Sequence, residues 1–250
     1  MTPQETNDKL IRAARSGNLN DAKAALDAGA DPTARDDLQQ TPLHYAAATG
    51  RADVARLLIE KGADPHARND LQQTPLHFAA LNGNADLARL LIEKGADPHA
   101  RNDLQQTPLH FAAAYNYIDL ARLLIEKGAD PHARNDLQET PLHLAASNGD
   151  TDLARLLIEK GADPTARDDL QRTPLHLAAL NGDTDLARLL IEKGTDPTAR
   201  DDLQRTPLHY AAEHGDTDLV SILADAARDK PSHASRVARR RGNDEPQVGG

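Results

Sequence analysis

The chain contains no cysteine, no tryptophan and a single methionine, and only six of its 250 residues are aromatic, two Phe and four Tyr. Without cysteine there is no disulfide framework, thiolate metal site, iron–sulfur cluster or cysteine nucleophile, which fits a reducing compartment. Six aromatics cannot supply the large-side-chain core of an ordinary enzyme of this length, although 39% of the residues are hydrophobic. Leu, Ile and Ala must do most of the burying, in many thin layers rather than one thick core. Long apolar runs are missing too. None approaches the roughly 18 residues that span a bilayer, and the opening stretch MTPQETNDKLIRAARSG lacks the apolar segment of a secretory signal. The expectation is a soluble cytoplasmic protein with no membrane insertion, and export as an effector without such a signal stays open.

Positive charge is scarce except at one end. Lys and Arg number 29 against 39 Asp and Glu, a net charge of −10, and residues 230–250 hold five basic and two acidic residues, leaving −13 on the first 229. An acidic body repels nucleic acid phosphates and anionic lipid, so nucleic acid is expected at most as a weak contact of the tail. That tail, with Arg236, Arg239, Arg240 and Arg241, reads as a disordered solubilising terminus; a localisation signal or a contact with acidic groups are the functional alternatives.

The tetrapeptide Thr-Pro-Leu-His begins at Thr41, Thr74, Thr107, Thr140, Thr173 and Thr206, always 33 residues apart. A degraded copy starts at Asp8, and the last copy loses its Gly-Ala-Asp-Pro segment. The chain divides into a polar lead (1–7), seven units starting near 8, 41, 74, 107, 140, 173 and 206 (8–230), and the tail (231–250). In the unit beginning at Thr74, Thr is a good N-cap and Pro75 suits the first helical position. Leu76, Ala79, Ala80 and Gly83 follow the spacing of a buried stripe. Gly83 ends the first helix, and a second carries Leu87, Ala88, Leu90, Leu91 and Ile92 on its apolar side before Gly95 stops it. A polar excursion then leads to the next Thr-Pro. One such pair cannot bury its own apolar face, so neighbours must stack.

These motifs, TPLHxAA, a second helix and GAD at a period of 33, resemble the ankyrin repeat family over about nine-tenths of the chain. The resemblance implies an all-α solenoid of about seven helix–turn–helix units with projecting β-turn fingers, and a protein–protein interaction module that binds a partner on its concave helix and fingertip face. Regulation by occluding a partner enzyme, and a structural or engineered scaffold without a specific natural partner, are the competing readings. The family commonly has Gly two residues before the Thr; here Gln39, Gln72, Gln105, Gln138, Gln171 and Gln204 stand there. Gln carries a penalty at positive φ, so a different turn type is expected. The end units replace apolar residues with polar ones, which favours a monomer.

Neither catalysis nor a cofactor is expected. None of the five Ser lies in a Gly-x-Ser-x-Gly context, and the glycines fall singly rather than in a phosphate loop. Asp168, Asp169, Asp201 and Asp202 recur in register and read as a solvated acidic strip. Six of eleven His belong to Thr-Pro-Leu-His. One His per layer, with layers ~10 Å apart, cannot converge on a metal whose ligands each lie ~2 Å away. The resemblance implies that these His bond backbone and join finger to helix. His66, His99 and His132 alternate with Thr in later units and suggest a polar structural role.

Unit-to-unit comparison shows an almost constant buried stripe and a variable face. Residue five of the unit reads Tyr45, Phe78, Phe111, Leu144, Leu177 and Tyr210. Residues eight and nine include Leu81 and Asn82, at positions where the family commonly contacts partners. In the fourth unit Tyr115-Asn116-Tyr117-Ile118 replaces a polar loop, and Phe78 and Phe111 flank it as candidate anchors. Packing of Tyr117 and Ile118 on a neighbouring helix is the competing reading. The tip residues Leu71, Leu104 and Leu137, with Leu38, Leu170 and Leu203, form another ladder, for which turn packing is favoured over a binding strip. The acidic surround would select a partner with a basic surface. All six aromatics are expected on or beside the recognition side.

Overall fold

The computed structural model describes residues 2–229; the basic segment beyond them lies outside the described residues. Fourteen helices follow in pairs, and no strand occurs among the described residues: α1 (Pro3–Ser16) with α2 (Leu19–Asp27), α3 (Pro42–Ala48) with α4 (Ala52–Glu60), and α5 (Pro75–Leu81) with α6 (Ala85–Glu93). They continue as α7 (Pro108–Ala114) with α8 (Ile118–Glu126), α9 (Pro141–Ser147) with α10 (Thr151–Glu159), α11 (Pro174–Leu180) with α12 (Thr184–Glu192), and α13 (Pro207–His214) with α14 (Thr217–Asp229).

Each first helix of the later units starts where Thr-Pro predicts. α1 reaches further back than the unit start at residue 8. Thr2 Oγ1 accepts the Glu5 N–H at 3.2 Å while Glu5 Oε2 accepts the Thr2 N–H at 2.8 Å, a reciprocal cap that draws residues 3–7 into the helix.

Odd-numbered helices form one row and even-numbered helices a second, each helix touching its partner and its row neighbours. The core lies between the rows. Leu76, Ala79 and Ala80 of α5 have no exposed surface, and Leu87, Ala88, Leu90 and Leu91 of α6 close over them. The paired alanines let neighbouring odd helices approach closely, and odd neighbours touch more extensively than even ones. Leucine and alanine thus build the thin layers that the lack of aromatics implied.

Candidate interaction surface

Between units the chain projects as a finger. In the second finger the Asn69 N–H donates to Gln73 O at 3.0 Å and the Gln72 N–H to Asn69 O at 2.9 Å. Asn69 Oδ1 accepts the N–H groups of Leu71 (3.0 Å) and Gln73 (2.8 Å), pinning the tip from inside. This is the bonding of a tight hairpin loop closed by a left-handed residue. Gln72 fills that position at φ 56°, and Gln39, Gln105, Gln138, Gln171 and Gln204 do likewise at 56–60°. The expected change of turn type is therefore corrected: the finger keeps the left-handed residue and makes Gln adopt it.

Two ladders tie finger to finger. The Asp70 N–H donates to Leu38 O at 3.2 Å, and Asp103, Asp136, Asp169 and Asp202 repeat the bond to the tip leucine before them at 3.0–3.1 Å. Arg68 Nη1 donates to Gln72 O at 3.3 Å and to Arg101 O of the next finger at 2.8 Å, and Arg35, Arg101, Arg134 and Arg167 do the same. These guanidinium groups satisfy the carbonyls of the strained Gln residues. Sequence reasoning missed the arginines, although their 33-residue spacing was in plain view.

The Thr-Pro-Leu-His histidines join the fingers to the helices. The Thr74 N–H donates to His77 Nδ1 at 3.1 Å, and Nε2 lies 3.1 Å from Gln106 O in the following finger. His44, His110, His143 and His176 repeat this, whereas His209, with no following finger, is exposed. Burial lowers the first four His to a pKa of about 4 and lowers His176 in the same direction. In the second ladder the imidazoles of His66, His99 and His132 are exposed. Only their backbone N–H is used, donating to Asp64, Asp97 and Asp130 at 2.8 Å.

Part of the expected acidic strip is not solvated. Asp168 and Asp201 are 1% and 2% exposed and stand where Asn69, Asn102 and Asn135 pin earlier fingers. Asp168 pairs with Arg172 Nε at 2.7 Å, and Asp201 with Arg205 Nε at 3.1 Å. Burial pushes the Asp201 carboxyl up, but the Tyr210 hydroxyl at 2.7 Å and the Arg205 N–H and guanidinium outweigh it, and the net shift is downward. Asp169 and Asp202 do face solvent.

The candidate binding residues fall into two groups, separated by the length of the first helix, ~10 Å for seven residues. At the fingers, Leu38, Leu71, Leu104, Leu137, Leu170 and Leu203 are between 42% and 66% exposed. Turn packing therefore covers these side chains only in part. At the opposite edge stand Leu81, Asn82, Tyr115, Tyr117 and Ile118. Tyr115 is 53% exposed and its ring stacks on Tyr117 at 6.1 Å. Tyr117 covers Gly83 of the preceding unit so closely that a Cβ there would meet its ring at 2.8 Å. Asn116 adopts φ 55° in the usual glycine place. Ile118 is half-buried against the core, Leu81 is half-buried, and Asn82 Nδ2 donates back to Phe78 O at 2.9 Å.

The aromatics do not all line a recognition face. Tyr210 is 4% exposed, and Phe78 and Phe111 are half-buried edge-on against His44 and His77 of the units before them, at 5.4 and 6.0 Å. Tyr45 is half-buried beneath Arg15. Only Tyr115 joins the tip leucines as an exposed large hydrophobic among the described residues. No helix there is long and apolar enough to cross a membrane.

A family model described as Ankyrin repeats (3 copies) matches the chain over residues 10–102, 62–135, 97–168 and 167–234. Comparison with curated proteins found no match. Ankyrin repeats are in general protein–protein interaction modules and typically not enzymes.

Proposed function

The chain belongs to the ankyrin repeat family, and from that premise we propose that it works by binding another protein along its fingers and odd-helix row, with no catalysis of its own. The exposed leucine row carries this reading. Six apolar side chains at equivalent fingertips stand in water, each beside an exposed aspartate. An aligned apolar strip is the kind of surface that a partner covers, and the aspartates favour a partner with basic groups. Tyr115, with Asn82 nearby, offers a second, smaller contact at the far edge.

The test uses immobilised full-length chain and an extract of its native host. Wild type should retain a protein that the variant Leu71→Ser/Leu104→Ser/Leu137→Ser releases. A control on the exposed face of the even row, Arg89→Glu/Arg122→Glu, should retain it. Equal retention by all three chains would speak for a scaffold without a specific partner at the fingers.

A further inference from the structure

We propose that the chain's own basic segment, residues 232–242, docks over the open C-terminal end of the stack and closes its core. This contact lies away from the fingers and stands independently of the binding-module reading.

The last unit leaves uncovered what the unit before it buries. Leu175, His176, Ala179 and Ala187 have no exposed surface. Their equivalents 33 residues on are half-buried Leu208, exposed His209, exposed Ala212 and half-buried Val220. Packing inside the last pair is intact, since Ala211, Leu219 and Leu223 stay fully buried. The difference is the neighbour that every earlier unit has, and it opens one partly apolar face shared by α13 and α14. His209 carries the same mark. Its Nδ1 accepts the Thr206 N–H at 2.9 Å. Nε2, which in the five earlier histidines meets a carbonyl of the following finger, has no partner among the described residues.

The segment that leaves this face selects the occupant. α14 ends at Asp229, and only Lys230 and Pro231 separate it from Ser232, within the ~2–5 residues that join antiparallel helices. From Ser232 the sequence repeats the spacing of an odd helix. Ser232 stands where Thr74 caps α5, and Ala234, Val237 and Ala238 follow at the offsets of Leu76, Ala79 and Ala80. Gly242 supplies the stop, one place later than Gly83 does in its unit. An apolar stripe of this spacing is what each unit lays over the open side of the unit before it.

Charge and tethering agree with the pattern. Residues 207–229 carry five acidic side chains and one basic, whereas residues 230–242 carry five basic and no acidic ones. Glu213, Asp218, Asp225 and Asp229 are exposed on α13 and α14. Arg236, Arg239 and Arg240 fall outside the apolar stripe, where they can pair with these carboxylates. A link of two residues holds the segment at an effective concentration on the order of millimolar. A second copy of the chain at ordinary concentration does not match that, so the chain's own segment is the favoured occupant.

The chain has no cysteine, so introduced pairs report the contact cleanly. In the full chain at micromolar concentration, Ala212→Cys/Val237→Cys should form an intrachain disulfide about tenfold faster than Ala212→Cys/Val248→Cys under the same mild oxidant, because docking raises the local thiol concentration. Loop length alone separates the two pairs by less than about twofold, and in urea the ratio should fall to that value. A second measurement keeps the native side chains at the face. Val237→Asp/Ala238→Asp should speed amide hydrogen exchange across residues 207–229 severalfold and leave residues 41–60 unchanged, whereas Val248→Asp should alter neither. Equal crosslinking rates for the two cysteine pairs in the folded chain overturn the proposal, as does exchange unmoved by the Val237→Asp/Ala238→Asp variant. Disulfides formed between chains instead of within them assign the face to a second copy and overturn it as well. The binding-module reading fails separately, when the leucine variant retains the same host protein as wild type.

Discussion

Each buried Thr-Pro-Leu-His histidine is held in one protonation state by what its two nitrogens face. Nδ1 accepts a backbone N–H, as from Thr41 at 3.1 Å, so Nε2 carries the proton and donates to the next finger's carbonyl. A second proton would sit on Nδ1, against the Thr41 N–H and 2.9 Å from the Thr41 hydroxyl, in a buried site. Burial is the main reason that His44, His77, His110 and His143 titrate near 4. Unfolded histidine titrates near 6.5, so between those values the unfolded chain binds protons that the folded chain excludes. Stability should be full above about pH 6.5 and fall as pH drops toward 4, by an order of ~3 kcal/mol per ring at the acid end. Denaturant midpoints at pH 7.5 and pH 5 measure it: a clearly lower midpoint at pH 5 is expected, and equal midpoints would contradict the account. The same scale explains why Asp168 and Asp201 were misread from sequence. Where the pinning residue changes from Asn to Asp, the residue four places on changes to Arg172 or Arg205. That paired change was legible; the burial behind it depends on the neighbouring unit.

At the scale of elements, the helices were legible and the fingers were not. Thr-Pro starts, the Leu-Ala-Ala stripe and single glycines fix the first helices because caps and periodicity are local signals. A finger's conformation depends on bonds between units. Arg68 reaches across 33 residues to Arg101 O, and such bonds hold Gln72 where propensity alone argues against it. Tip exposure was hidden for the same reason, since Asp-Leu-Gln reads alike whether or not something covers it. The Tyr115–Ile118 turn was singled out correctly as unusual, but it mixes two roles. Tyr115→Ala should leave stability within ~0.5 kcal/mol, as for an exposed side chain. Tyr117→Ala should cost ~1–2 kcal/mol, because the ring that covers Gly83 loses its apolar contact. Denaturant unfolding of the two single variants separates them, and equal losses would contradict the assignment.

For the whole molecule, repetition turns local features into surfaces. A single finger exposes one leucine; the stack aligns six in a row, opposite a turn edge where the fourth unit alone carries tyrosines. The near-absence of aromatics follows from the layered core, and most of those present make contacts between units. The central claim is that partners are held at the fingers. Hydrogen–deuterium exchange of the full chain, free and saturated with the protein it retains from host extract, tests this most directly. Added protection is predicted at residues 36–40, 69–73, 102–106 and 135–139, with the even helices unchanged. Protection confined to the even-helix row, or to the Tyr115–Ile118 turn alone, would contradict it.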